Sequence, residues 1–319
     1  MRLFRDFRTV PAAARGAVVA IGNFDGVHRG HRAVIGAARA AADRRAVPLA
    51  VLSFEPHPRA YFAPGQPPFR LTTLRQKIRL LAGLGVDFLF VPRFDREMAQ
   101  TSPGAFVGDV LAGALGARQV VVGRDFAFGR ARAGNVETLR GLAVPAGIDV
   151  HCLDAVNEGD EGSVSSSRIR DLLRLGRPDA AALLLGRDWE IEGRVLRGER
   201  RGRLLGFPTA NLRLGDILRP AFGVYATRIR VAGESGEAHA GVANLGNRPT
   251  FGGTRELLEA HVFDFNGDLY GRRVCVALSA FLRPERKFDG VEALKAQIAR
   301  DADDARRHFA SPIASRVKP

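Results

Sequence analysis

Two histidines three residues apart, His28 and His31, stand in the run Ile21-Gly22-Asn23-Phe24-Asp25-Gly26-Val27-His28-Arg29-Gly30-His31. At a helix entrance that spacing lets both rings face one bound group. Neither histidine has a cysteine or carboxylate at zinc-ligand spacing, so the pair reads as hydrogen-bond donors to a phosphoryl group. Glycines at 22, 26 and 30 permit close backbone approach around them. Further on, Glu55-Pro56-His57-Pro58 presents His57 on a turn stiffened by two prolines, either as a ligand group or as a plain turn residue. Gly123 to Gly129 encloses Asp125, Phe126 and Phe128, a carboxylate and two rings that suit an adenine or flavin, the alternative being core rings under a loop. Ser166, Ser167 and Arg170 precede an apolar helical run. Serines there cap the helix, and with the arginine they also form a cradle for phosphates. Gly198, Gly202 and Gly206 punctuate a basic stretch suited to phosphates as a positive flap, without the Gly-Lys-Ser/Thr of a Walker A loop. Thr209 and Asn211 lie two apart on an extended segment, so their oxygens point the same way. A hydroxyl and an amide oxygen are hard ligands, appropriate for Mg²⁺ held jointly with ATP phosphates.

The elements that must position these groups follow from periodicity. Ala17–Ile21 reads as a buried strand, and Leu49–Phe54, Phe88–Val91, Gln119–Val122 and Asp149–Leu153 as further strands, with helical patterns near 32–45, 73–84, 103–115 and 135–143 between them. This alternation predicts a parallel sheet covered on both faces, a Rossmann-like arrangement whose ligands bind at the carboxyl ends of the strands. The candidate groups of the first half fall in just those loops. A helical pair at 167–185 forms the expected joint. Beyond Gly186 the strands Trp189–Leu196, Thr209–Leu212, Val224–Val231, Ala238–Leu245, Leu257–Phe265 and Val274–Leu282 follow one another. They predict a six-stranded antiparallel β-barrel, closed by an amphipathic helix carrying Val291, Leu294, Ile298, Ala302, Ala305 and Phe309. The expected domains are 1–186 and 187–319.

Composition narrows the class of partner. The chain of 319 residues is 46% hydrophobic and 26% charged, ordinary for a globular protein. It has no apolar run of the ~20 residues that spans a bilayer. Its charged N-terminus is no signal peptide, and Cys152 and Cys275 are too far apart in sequence to suggest a paired motif, so a reducing cytoplasm is expected. The net charge of +14 invites a nucleic-acid partner. Only Lys77, Lys287, Lys295 and Lys318 are lysine, so 44 of the 48 basic residues are arginine, and most are scattered. Small anionic substrates explain the local positive charge as well. The expected partners are therefore small molecules, with neither nucleic acid nor membrane among them, and the oligomeric state is left open.

The first half resembles the nucleotidyltransferase superfamily through His28-Arg29-Gly30-His31 and the Ser166-Ser167-Arg168-Ile169-Arg170 element. The second half adds Gly206-Phe207-Pro208-Thr209-Ala210-Asn211, then Asn247-Arg248-Pro249-Thr250-Phe251, then Gly267-Asp268-Leu269-Tyr270-Gly271 in order. With these, the whole chain resembles the prokaryotic bifunctional riboflavin kinase / FMN adenylyltransferase family, also called FAD synthetase. Ser167 stands where that family often has threonine, which keeps the hydroxyl. The resemblance implies that the second half converts riboflavin and ATP to FMN and ADP, with Mg²⁺ on Thr209 and Asn211 and Glu259 as catalytic base. It implies that the first half joins FMN to the AMP part of ATP, giving FAD and pyrophosphate. There His28 and His31 would serve the phosphates, with Gly22, Asn23, Phe24 and Gly30 around them and Ser166, Ser167 and Arg170 at the distal end. Asp125 would line the nucleotide site, and His57, Asp125, Phe126 and Phe128 would form the flavin side. A nucleotidyltransferase acting on another acceptor is the alternative, which the second motif set disfavours.

Overall fold

The computed structural model describes residues 1–7, 10–157, 162–197, 206–233, 237–250 and 253–310. It contains two compact units, Met1–Pro67 with Thr72–Ser166, and Pro68–Leu71 with Ser167–Pro319.

In the first unit six strands form one parallel sheet: β1 (Arg2–Phe4), β2 (Val18–Ile21), β3 (Leu49–Leu52), β4 (Phe88–Phe90), β5 (Gln119–Gly123) and β6 (Asp149–Leu153). Every residue of β2, β3 and β4 is buried, as strands covered on both faces require. Alternation along β2 divides the core. Val19 and Ile21 meet Phe106, Val110 and Leu111 of the helical segment Phe106–Ala114 on one face. Val18 and Ala20 meet Val34, Ile35 and Ala38 of the helix Arg29–Arg44 on the other. The periodicity missed β1, a three-residue edge strand whose only strong signal is Phe4, stacked on Phe90 with ring centroids 5.1 Å apart.

The strand order is β1-β4-β3-β2-β5-β6. The chain builds outward from β2 to one side, then returns to β5 on the other. The connections leaving β2 and β5 therefore diverge at the carboxyl ends of two neighbouring strands, the crevice where open α/β sheets take their ligands.

The second unit is antiparallel. Its strands are β7 (Trp189–Arg194), β8 (Ala210–Arg213), β9 (Gly223–Val231), β10 (His239–Thr250), β11 (Gly253–Val262) and β12 (Arg273–Pro284), in the order β7-β12-β9-β10-β11-β8. A bridge between Leu196, just past β7, and Asn211 in β8 brings the two edges together, so the barrel is nearly closed. Ile191, Leu212, Tyr225, Leu245, Leu258 and Val276 fill its interior. Burial pushes the Tyr225 hydroxyl up from its ordinary pKa, so it stays protonated and donates to the Ala221 carbonyl.

The helices Ser166–Arg174 and Pro178–Leu185, expected as a joint, go almost wholly with this second unit. Ala221 N–H donates to the Leu173 carbonyl, and the Trp189 indole donates to Leu71 of the same unit. The sequence pattern changes near residue 186 because secondary structure changes type there. The packing boundary lies earlier, where tertiary contacts change partner.

The terminal helix Val291–Ala310 lays Ala302 and Ala305 on Val224, Ala226, Val242 and Phe263 of the barrel's outer face. A buried clamp fixes its angle. Asp301 accepts from Arg283 Nε at 2.8 Å and Nη2 at 2.7 Å, and from Gln297 Nε2 at 2.7 Å. Asp301→Ala would leave that guanidinium without its counter-charge, an expected loss of about 3–5 kcal/mol. Urea unfolding read at the single tryptophan, Trp189 in β7, measures it; a midpoint unmoved from the native value would show the clamp to be dispensable.

Candidate functional site

The turn after β2 is held largely by polar groups from distant parts of the same unit. Gly22 N–H donates to the Leu52 carbonyl, extending sheet pairing by one residue. Phe24 then takes φ +47°, and its ring turns into the core, where it meets His31 edge-on at 5.3 Å. A Cβ on Gly22 would come within 3.2 Å of that ring, so glycine here makes room for Phe24. Asp25 is 2% exposed and accepts both the amide and the hydroxyl of Thr72, at 3.1 and 3.3 Å. The same hydroxyl accepts from Gly26 N–H, and Ser166 Oγ donates to the Asp25 carbonyl at 2.9 Å. Asp25 and Thr72 thus lock the turn. Neither stands out in the sequence, where the two are 47 positions apart.

His28 is the N-cap of helix Arg29–Arg44. Its Nδ1 accepts His31 N–H at 3.3 Å, which leaves Nε2 to carry the ring proton. The two imidazoles stack with centroids 3.5 Å apart and planes 18° from parallel. A Cβ on Gly30 would press within 3.2 Å of the His28 ring, so this glycine serves the histidine as well as the backbone. The two rings therefore lie together at a helix N-terminus whose first amides suit an anion.

Other expected residues are placed differently. Phe24 offers a ligand only its backbone, because the ring is 1% exposed. His57 caps the short helix Pro58–Phe62, its Nδ1 accepting from Arg59 N–H at 3.1 Å, so the turn role is real. Phe128 is a core residue packed on Phe106. Phe126 stacks on it from the partly buried side, with centroids 5.4 Å apart. Phe128 and Gly134 exchange backbone hydrogen bonds, and a Cβ at Gly134 would sit 2.6 Å from the Phe128 ring. Asn23 and Asp125 are exposed at the carboxyl edge of the sheet. Ser167 is exposed. Arg170 is buried, its Nε donating to the Phe69 carbonyl at 2.8 Å and its guanidinium lying over the Phe69 ring, both in the second unit. At the same sheet edge the sequence reading overlooked a group of rings, Phe54, Tyr61, Phe62 and Phe94, in edge-to-face contact. Phe62 is 65% exposed there, a solvent-facing ring of the kind that a planar ligand covers.

In the barrel, strand register assembles the second set. Asn211 in β8 pairs directly with Glu259 in β11, and Glu259 pairs with Asn244 in β10. Cross-strand partners share a face, so Asn211, Glu259 and Asn244 form a row on the outer face. Thr209 precedes it on the same side, two residues from Asn211. Among the described residues the side chains of Thr209 and Asn211 have no hydrogen-bond partner, and both are half-exposed. The segment leading into them is held by His261, whose Nδ1–H donates to the Pro208 carbonyl at 2.8 Å. Glu285 was not anticipated. Its carboxylate lies on Gly246, where a Cβ would fall 1.8 Å from Oε1, and it accepts from the Asn244 amide at 3.4 Å. A cleft beside Thr209 is walled by Ala210, Ala260, Val262, Phe265 and Tyr270. Gly206 takes φ +83° in an exposed turn, whereas Gly198 and Gly202 lie outside the described residues.

The bifunctional riboflavin kinase/FMN adenylyltransferase of Escherichia coli (strain K12) is 41% identical to this chain over 310 residues, spanning 97% of this chain and 98% of that protein. The chain belongs to the bifunctional riboflavin kinase/FMN adenylyltransferase family. The Haemophilus influenzae member is 40% identical over 316 residues, 98% of this chain and 100% of that protein. Two family models divide the sequence: one described as FAD synthetase matches residues 10–168, and one described as riboflavin kinase matches residues 185–309. Among solved structures, one named as a macrolide-efflux protein from Streptococcus pneumoniae superposes with a TM-score of 0.85 at 29% identity, covering 96% of this chain and 98% of that one. No described helix of this riboflavin kinase/FMN adenylyltransferase family member is long and apolar enough to cross a membrane.

Proposed function

We propose that this chain makes FMN from riboflavin and ATP in its barrel and FAD from FMN and ATP in its parallel-sheet unit, with the functional division near residue 186. Family membership over nearly the whole chain supports both activities. The observation that carries the kinase half is the register that sets Asn211 beside Glu259.

In the barrel, the Glu259 carboxylate accepts the proton of the ribityl hydroxyl as that oxygen attacks the γ-phosphorus of ATP, and ADP leaves. Thr209 and Asn211 would hold Mg²⁺, which when bound neutralises charge on the ATP phosphates. Two oxygen ligands without side-chain partners among the described residues, on the same face as a carboxylate, fit a hard cation that takes its remaining ligands from phosphate and water. The cleft walled by Val262, Phe265 and Tyr270 receives a substrate ring beside them.

In the sheet unit, the FMN phosphate attacks the α-phosphorus of ATP and pyrophosphate leaves. A phosphate dianion is already a competent nucleophile, so this site needs alignment and charge stabilisation rather than a general base. His28 Nε2–H and His31 supply donors to the phosphates at the helix N-terminus, with the Ser166-braced turn behind them. Asn23 and Asp125 line the nucleotide side. The flavin ring lies by His57 and the exposed Phe62, with Phe126 and Phe128 as the packed support of the neighbouring loop.

A time course tests the reading. With riboflavin, ATP and Mg²⁺, FMN is expected to appear first and FAD to follow at its expense. FMN that never progresses to FAD would remove the adenylyltransferase half. FAD formed only from supplied FMN would remove the kinase half.

A further inference from the structure

One buried charge takes no part in the mechanism above. Lys77, on the helix Leu74–Ala82, is 1% exposed. Its ammonium donates to the Asn23 carbonyl at 2.7 Å and to Ser53 Oγ at 3.2 Å, and Ser53 Oγ itself donates to the same carbonyl at 3.1 Å. Burying an ammonium is costly unless it is hydrogen-bonded and paired. Here two of its hydrogen bonds converge on the turn after β2: one goes directly to the Asn23 carbonyl, the other to the Ser53 hydroxyl that also holds that carbonyl.

The peptide plane gives that contact its consequence. The Asn23–Phe24 bond is trans, so its C=O and N–H point in opposite directions. With the carbonyl drawn inward to Lys77 and Ser53, the Phe24 amide is turned outward, away from the core. Among the described residues this amide donates to no protein acceptor, although the Phe24 side chain is buried. Phe24 also holds φ +47°, a left-handed conformation that a bulky residue adopts only where its surroundings enforce it. The enforcing contacts are its ring against His31 on one side and Lys77 on the preceding carbonyl.

We infer that Lys77 is a positioning residue for adenylyl transfer: by fixing the Asn23 carbonyl it aims the Phe24 N–H at a phosphate oxygen of bound ATP. The inference rests on the adenylyltransferase reading of the His28–His31 turn. Lys77 itself stays beneath the turn and touches no substrate, while its charge adds a positive potential under the site.

Two measurements on the full chain test it. In the native protein with ATP and no flavin, the Phe24 amide should become protected from hydrogen exchange, read residue by residue by NMR. Lys77→Met keeps the length and removes the charge. It should lower kcat/KM for ATP in FMN adenylylation at least tenfold, erase the ATP-dependent protection at Phe24, and leave riboflavin phosphorylation unchanged. Native-like adenylylation by the variant would overturn the proposal, as would a variant that loses melting temperature and both activities together, the mark of a merely structural lysine. If Lys77→Met does not fold, the native exchange measurement decides alone: a Phe24 amide indifferent to ATP, in a chain that does make FAD, sinks this inference and leaves the adenylyltransferase reading standing. A chain that makes no FAD at all sinks the reading first.

Discussion

Glu259→Gln is expected to cut riboflavin phosphorylation by about 10²–10⁴-fold, the range for losing a general base, while adenylylation of supplied FMN continues. The substitution keeps the shape and polarity of a half-buried side chain in the middle of β11, so Leu258 and Ala260 still fill the barrel and the register with Asn211 and Asn244 is untouched. The negative charge goes, and with it proton acceptance. The companion change Asn211→Leu takes away an amide oxygen and retains bulk. It should likewise stop phosphorylation with little change in melting temperature, because the Asn211 side chain has no hydrogen-bond partner among the described residues to leave stranded. The assay is FMN formation from riboflavin, with FAD formation from FMN as the internal control. Kinase activity retained in Glu259→Gln would place the base elsewhere, Glu285 being the next carboxylate along the row.

The second large effect belongs to the histidine pair. His31→Ala should lower FAD formation from FMN by about 10²-fold or more, the scale of removing a donor to developing charge, and leave FMN formation intact. His28 needs a finer substitution, because it is both a candidate donor and the helix cap. His28→Ser keeps an oxygen that caps the first turn of Arg29–Arg44, whereas His28→Ala discards the cap at a cost of about 1 kcal/mol. If His28 acts on phosphate, both variants lose adenylylation and only the alanine variant loses stability. If His28→Ser makes FAD at the native rate, the residue is a cap and nothing more. Comparing melting temperature with FAD rate across the two variants separates these roles.

The two units were legible to different depths for a physical reason. Strands β2 to β5 and their helices announce themselves by local period, because residues buried on both faces must be apolar in a continuous run. The barrel strands were visible through alternation and turn residues. What escaped were short or marginal elements: Arg2–Phe4, too brief for any period, and the helices Pro58–Phe62 and Arg96–Gln100, each of five residues. The pair at 167–185 reads from the sequence as helices forming a joint, and its place in the second unit is hidden because its packing partners lie at 68–71 and beyond 187.

By itself the sequence determined the element types, the change from parallel sheet to barrel, and part of the chemical inventory: two histidines at a helix entrance, and a hydroxyl and an amide two apart; Glu259 stands out from its strand neighbour Glu256 only through the family resemblance. The sequence also carried the family, because motif order survives in one dimension. Only the tertiary structure decided which of those groups meet. Strand register, not spacing, set Asn211 against Glu259, 48 positions apart, because β8 and β11 are paired in space. Packing, not composition, made Phe24 and Phe128 core residues and left Phe62 outside. The contacts that hold the turn after β2, Asp25 to Thr72 and Lys77 to Asn23, join residues 47 and 54 apart. No local period encodes such a pair. Each exists because a buried polar group must find its hydrogen-bond partner wherever the fold brings one.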